Sequence, residues 1–354
     1  MNWMFYLKTT ETCNLNCKHC FTNGINGPKI YWDYKNTVRW IKEFVNYNKV
    51  GVDDSIHCEF HGGEPFLAPV EQMRHVWNEC KDLTPNISWG ITTNLVFNLD
   101  DEKKSFIKEC LGNRLGTSWD PKIRFSNVKQ SQLWLNNIKE LLDMGTEIKL
   151  FISVTKDTID YEPITLLNWV KNLGIKEVSF ERLTGNGNAN LHPDIFPSNL
   201  EQDAWFLKMH QQTVEFNARE WFNNEFLEVV YAKFESNFIA GGTFCRDCEE
   251  KIFTVNADGS ISGCPNSAPE FQFGHINDTI ESIINSPIRL ENMACEKSRN
   301  ALCYSCEVFN YCGGDCHQLA WQDNICGAPK SLMKELASKI NSKKIWLIKE
   351  DNKW

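Results

Sequence analysis

Cys13, Cys17 and Cys20 stand at spacing C-x3-C-x2-C within Glu11-Thr-Cys-Asn-Leu-Asn-Cys-Lys-His-Cys-Phe21. Three thiolates this close on one stretch constrain what the chain can become. They cannot all bond one another, and a structural zinc takes four ligands. Three thiolates do hold three irons of a [4Fe–4S] cube. The fourth iron is then left without a protein ligand, open to chemistry. The preceding Met4-Phe-Tyr-Leu-Lys-Thr9 reads as a strand, with aromatic and apolar residues and no breaker. A strand-end loop of this kind is where a barrel of alternating strands and helices carries its reactive groups.

The other cysteines extend the argument. The chain has 15, an odd number. No basic start followed by an apolar stretch marks a secretion signal, so a reduced, cytoplasmic setting is expected and a disulfide framework is not. Three cysteines lie near the start and eight between Cys245 and Cys326, while Cys58, Cys80, Cys110 and Cys295 stand apart and read as small buried hydrophobes. A formal net charge of −9 argues against a nucleic-acid binder, which usually carries a basic face. No apolar run approaches the ~18 residues needed to span a bilayer. The 354 residues suit about two domains.

After the first strand, strands and helices alternate. Helices are expected over 35–47, 70–80, 102–110, 133–144 and 164–173. Strands are expected over 55–60, 86–92, 114–120, 147–154 and 176–181. Six such alternations in under 200 residues imply α/β architecture with a parallel sheet. The second strand ends at His61-Gly-Gly-Glu-Pro65, where two glycines allow close approach of backbone to a ligand. Glu181 and Arg182 would lie at the C-terminal rim of the sixth strand, as functional groups or simply as an ion pair. Helices over 200–216 and 220–238 follow. Their Trp205, Phe206, Trp221, Phe222, Phe226 and Tyr231 either line a peptide groove or form core. Gly241-Gly242 breaks the helix and marks a boundary. Ala257-Asp-Gly-Ser260 is a hairpin signal between Phe253-Thr-Val and Ile261-Ser.

The three-cysteine spacing, His19 before its last cysteine and Gly62-Gly63-Glu64-Pro65 together resemble the radical S-adenosylmethionine (SAM) enzymes. Cys245-x2-Cys248, Cys264, Cys303-x2-Cys306-x5-Cys312-x3-Cys316 and Cys326 resemble the SPASM extension of that family. The resemblance implies a partial (β/α)6, TIM-like barrel over residues 1–195 and a helical bridge over 196–240. A small cysteine-rich α+β SPASM domain over 241–330 and a C-terminal helix or tail over 331–354 complete the chain. It implies a SAM-binding [4Fe–4S] cluster on Cys13, Cys17 and Cys20. Gly62, Gly63 and Glu64 would meet the methionine end of SAM, Ser118 its ribose or carboxylate, and His19 and Phe21 its adenine. His19 as a space-filling residue, and Ser118 as a strand-end hydroxyl bonded to backbone, are the plainer alternatives. Two auxiliary clusters follow by the family's pairing: Cys245, Cys248, Cys264 and Cys316 for one, Cys303, Cys306, Cys312 and Cys326 for the other. Two zinc knuckles are the alternative use of eight thiolates.

The resemblance further implies reductive cleavage of SAM to a 5′-deoxyadenosyl radical and oxidative modification of a ribosomally made peptide, by a C–C, ether or thioether link. Protein side-chain maturation of the anaerobic sulfatase type and small-molecule radical dehydrogenation are the neighbouring activities. Pro265 stands where sulfatase maturases carry an aspartate, which counts against the former. Outside the class, a zinc or Fe–S binding or electron-transfer protein would carry the same cysteines. The implied partners are a peptide or protein substrate and a low-potential donor of flavodoxin or ferredoxin type. Few residues precede Cys13, so a leader peptide is expected to bind on the bridge helices or on a separate protein.

Overall fold

The computed structural model describes residues 1–234, Phe244 and residues 246–341. Six parallel strands alternate with helices: β1 (Asn2–Thr10), β2 (Ser55–Gly62), β3 (Ile87–Thr93), β4 (Arg114–Ser118), β5 (Glu147–Val154) and β6 (Glu177–Arg182). The helices between them include Tyr34–Tyr47, Val70–Cys80, Asp101–Cys110, Val128–Asp143 and Pro163–Asn172. Local chemistry sets their starts. Asp33 accepts a hydrogen bond from the Asn36 N–H at 3.1 Å, and Asn127 accepts one from the Gln130 N–H at 3.1 Å, each meeting an otherwise orphaned donor of the first turn.

The sheet does not stop at β6 or at β1. A two-residue β7 (Asn223–Asn224) extends it beyond β6, in parallel. On the other side β8 (Ile252–Val255) lies parallel to β1, with Met4 opposite Ile252 and Leu7 opposite Val255. β9 (Ser260–Ser262) and β10 (Gly274–His275) add antiparallel pairs. The strand order is therefore β10-β9-β8-β1-β2-β3-β4-β5-β6-β7. The hairpin expected around Ala257-Asp-Gly-Ser260 is β8–β9. Its attachment to the first strand has no counterpart in the sequence pattern.

Strand alternation explains why β8 docks there. Met4 and Tyr6 face the barrel interior, while Phe5 and Leu7 are fully buried on the other face. Phe253 of β8 meets Phe5, Trp40 and Phe44 at ring-centroid distances of 6.1, 6.0 and 5.0 Å. One aromatic cluster thus joins the barrel to the second cysteine region.

The bridge differs from its expected form. Helix Asn199–Glu215 opens on a capping box of Ser198 and Glu201. It stops where Asn217 turns into the left-handed region at φ +49°. The second helix covers only Glu225–Ala232, because 223–224 pair with β6 and the Asn224 side chain caps the helix. Trp205, Phe206, Phe222, Phe226 and Tyr231 are buried, and Phe206 stacks on Phe226 at 3.9 Å. These rings are mainly core, and Phe226 also lines the barrel cavity. Helix Lys330–Asn341 packs against Asn199–Glu215, where Asp203 accepts the Ser331 N–H at 2.8 Å. Gly241-Gly242 and residues 342–354 lie outside the described residues. Among the described residues no helix is long and apolar enough to cross a membrane.

Removing the Phe253 ring should cost about 3–5 kcal/mol, the range for a fully buried aromatic truncated to alanine. Denaturant titration of Phe253→Ala against the parent protein measures it. The loss should come with increased proteolysis of the chain after residue 246, since β8 is what ties that region to β1.

Candidate metal and cofactor site

β1 runs out into the cysteine loop at the C-terminal end of the parallel strands. Leu15 is buried and anchors the loop to the core. The loop is then clasped by backbone from elsewhere. The Gly63 N–H donates to the Thr10 carbonyl at 2.8 Å and the Glu64 N–H to the Thr12 carbonyl at 2.9 Å. After β6, the Ala189 N–H donates to the Cys20 carbonyl at 3.2 Å and the Asn188 amide to the Cys17 carbonyl at 2.8 Å. Cys17 is buried, while Cys13 and Cys20 are half-buried.

Donors already point at the sulfurs. The Leu15 N–H and the Asn94 amide lie 3.4 and 3.5 Å from Cys13 Sγ, and the Thr22 hydroxyl lies 3.1 Å from Cys20 Sγ. Burial pushes the Cys13 thiol up to about 11 and Cys17 up to about 12, and negative charge at Cys20 raises both further. A cationic guest would relieve that strain and take the thiolates, since burial without a partner is what disfavours them. The donor set therefore fits an iron–sulfur cube. Among the described residues no three Cys, His, Asp or Glu side chains close on a point as tightly as a single ion needs. A four-iron cube is a larger guest whose thiolates stand further apart.

Gly62 and Gly63 serve packing more directly than the sequence suggests. Gly62 sits at φ +135°, and a Cβ at Gly63 would lie 1.9 Å from the Thr12 carbonyl oxygen. Their lack of side chains is what lets β2 press against the cysteine loop. Glu64 also departs from its expected post. Its carboxylate is fully buried and accepts from the Phe66 N–H at 3.0 Å, the Thr93 hydroxyl at 2.8 Å and the Asn94 N–H at 2.7 Å. Three internal donors occupy it, and it braces the end of β3 rather than facing a ligand's ammonium. Burial pushes it up to about 7 in spite of them.

His19 is not placed as a free adenine contact. Its Nε2 lies 3.3 Å from Asp120 and 3.2 Å from the Arg124 guanidinium. Burial holds its pKa near 4, so the ring is neutral at ordinary pH. Burial works to raise Asp120, but His19, Arg124 and the Ser153 N–H outweigh it and hold the carboxyl at about 2. Asp120 and Arg124 were missed in the sequence, where this stretch reads only as a strand end. Ser118 closes β4, half-buried, two residues before Asp120. Phe21 faces His61 at 5.8 Å, with the buried Lys8 ammonium 6.0 Å from its ring.

A cavity of about 1080 Å³ occupies the barrel interior. Tyr6, Glu59 and Glu181 line it from the strands, and Cys248, Cys264 and Cys316 line it from the second cysteine set. Glu59 is engaged by His57 at 3.0 Å and Thr92 at 2.6 Å, whereas Glu181 accepts from Ser179 at 2.8 Å. Burial raises the Cys248 and Cys264 thiols, and Cys316 raises both further. Burial raises the Cys303, Cys312 and Cys326 thiols as well. Cys245 lies outside the described residues.

Arg182 is an ion pair, not a rim residue open to solvent. Its guanidinium grips Asp315 through both nitrogens, one at 2.9 Å, and donates to the Gly327 carbonyl at 3.1 Å. Arg246, also buried, donates to the carbonyls of Asp315 and Gly314. No pattern in the sequence announces either partner.

Residues 243–307 match the SPASM family model, described as an iron–sulfur cluster-binding domain. The antilisterial bacteriocin subtilosin biosynthesis protein AlbA of Bacillus subtilis is 24% identical over 320 residues, covering 86% of this chain and 65% of that protein. The GTP 3′,8-cyclase of Nautilia profundicola is 25% identical over 175 residues, covering 48% of this chain and 52% of that one. The chain thus spans from about half to about two thirds of the length of these relatives. Among solved structures, anSMEcpe with bound AdoMet and the Cp18Cys peptide superposes with a TM-score of 0.76 at 16% identity, over 97% of this chain and 98% of that one. These matches give residues 243–307 the likeness of an iron–sulfur cluster-binding domain and the whole chain the fold of anSMEcpe.

Gly63→Ala should cost about 3 kcal/mol, the upper part of the overpacking range, because its neighbour is a backbone carbonyl that cannot swing aside. A lowered melting temperature checks this. Gly51→Ala, a position without positive φ whose Cβ meets nothing closer than 3.9 Å, is the control and should lose less.

Proposed function

We propose that the chain is a radical SAM oxidoreductase that modifies a peptide. The observation that carries this reading is the cavity. It reaches from the inward faces of the strands to Cys248, Cys264 and Cys316, so a substrate held there sits against the second cysteine set. Cys13, Cys17 and Cys20 would hold the SAM-binding [4Fe–4S] cluster. Cys245, Cys248, Cys264 and Cys316 would hold one auxiliary cluster, and Cys303, Cys306, Cys312 and Cys326 the other. Bound at the first site, cube and SAM supply one-electron cleavage of the sulfonium and a 5′-deoxyadenosyl radical that takes a hydrogen atom from an unactivated C–H bond.

The chain's own residues do the orienting. The Leu15 N–H, Asn94 and Thr22 steady the sulfurs of the first site. Gly62 and Gly63 would offer backbone to the methionine end of SAM, Ser118 would meet its ribose or carboxylate and Phe21 its adenine. His19 stays neutral and locked to Asp120 and Arg124, filling the floor of the loop. Glu64 contributes by fixing the Gly-Gly segment.

A peptide substrate is favoured over a nucleotide by the extent of the matches. The cyclase likeness spans 48% of this chain. The likeness to AlbA, a bacteriocin biosynthesis protein, spans 86%, and anSMEcpe was solved with a peptide. The auxiliary sites suit a net oxidation, such as a C–C, ether or thioether link, because two fully thiolate-bound clusters can remove an electron from the substrate. A low-potential flavodoxin or ferredoxin would supply the first electron. A separate leader-binding protein would supply recognition of the leader.

Reduced anaerobic protein incubated with SAM should release 5′-deoxyadenosine, and none under full reduction sinks the proposal. The loaded protein should carry about twelve irons, from three cubes of four. About four irons together with zinc would favour knuckles in the second half instead. Cys17→Ala should abolish cleavage while keeping about eight irons at the auxiliary sites.

A further inference from the structure

We propose that the buried Arg182–Asp315 pair sets the reduction potentials of both auxiliary clusters together. The inference rests on the cluster reading above. Asp315 lies between Cys312, assigned to one cluster, and Cys316, assigned to the other. Arg182 comes from the end of β6 and holds Asp315 through two nitrogens. Its remaining contact is the carbonyl of Gly327, next to Cys326. One guanidinium therefore touches the backbone or side chain beside three thiols drawn from both sets. The two side chains are 7% and 4% exposed, so water screens their charges poorly.

Asp315 directly precedes Cys316, and its N–H donates to the Cys312 carbonyl at 3.2 Å, so the pair's charges sit beside cysteines of both sets. The face of the Arg182 guanidinium lies over the Phe226 ring at 5.6 Å, so carbon rather than solvent covers it. Gly313 and Gly314 both take positive φ, at +62° and +97°. They turn the loop so that Asp315 reaches inward to the arginine. A cluster's potential follows the local net charge and the hydrogen bonds around its sulfurs. Adding an electron makes each cluster more negative, and a nearby cation eases that step while a nearby anion hinders it. With Arg182 present the two charges nearly cancel. Without it, Asp315 loses its side-chain partner and keeps only Arg246, held at its backbone carbonyl, as a nearby cation. Because the pair sits between the sets, both potentials move in the same direction.

The test is a redox titration of the iron-loaded protein followed by electron paramagnetic resonance, with iron content determined for each variant. Arg182→Met should make both auxiliary clusters roughly tenfold harder to reduce, a downward shift of about 59 mV for one electron. Asp315→Asn should move both upward. Arg182→Lys keeps the charge and should stay near the parent values. The cube at Cys13, Cys17 and Cys20 is the internal control and should not move. A purely structural role would change iron content or melting temperature without opposite shifts in the two charge variants. If Arg182→Met fails to retain iron, Asp315→Asn decides alone: an upward shift supports the proposal. Parent potentials in iron-replete Asp315→Asn overturn it, as does movement of only one auxiliary cluster. Parent protein without iron at the second sites overturns the cluster reading itself, and the iron content reports that separately.

Discussion

Gathering thiols into one small volume costs free energy until something positive joins them, and the rest of the molecule exists to hold them there anyway. The cysteine loop has little regular structure of its own to resist that cost. It is stapled from outside, by the Gly-Gly segment after β2, by Asn94 after β3 and by Asn188 and Ala189 after β6. These are the ends of three parallel strands. The barrel thus acts as a jig, whose strand ends converge on a segment that could not keep its shape alone.

The same logic governs the second half. Cysteines from distant stretches are brought together by a loop with two left-handed glycines and by buried arginines that donate to its carbonyls. The two halves are not independent bodies linked by a tether. β8 continues the barrel sheet, and Arg182 of β6 reaches into the second cysteine set. An ionic contact at one side of the barrel and an aromatic cluster at the other fix one half against the other.

Much of this was legible before any coordinates. The strands and helices of the barrel follow their hydrophobic periods, and Glu147–Val154 and Val70–Cys80 fall where the pattern puts them. The later cysteines from Cys245 to Cys306 fall within the stretch that matches an iron–sulfur cluster-binding domain. What escaped was whatever depends on partners far apart in the chain. Asp120 and Arg124 look like an unremarkable strand exit until His19 is folded onto them. Glu64 looks available until β3 brings Thr93 and Asn94 to its carboxylate. The glycines at 62 and 63 were read as room for a ligand, yet the nearest atom to a methyl group there is a backbone carbonyl. The helix expected over 220–238 failed at its start because a two-residue strand is too short to leave a periodic signal.

The placement of β8 has a consequence for synthesis. β1 is made long before residues 252–255, which satisfy one of its two edges. Throughout that interval the strand leading into the cysteine loop keeps a bare row of backbone donors and acceptors. Such an edge is an invitation to wrong partners. A passing chaperone would then protect the nascent protein more than any added stability in the finished barrel.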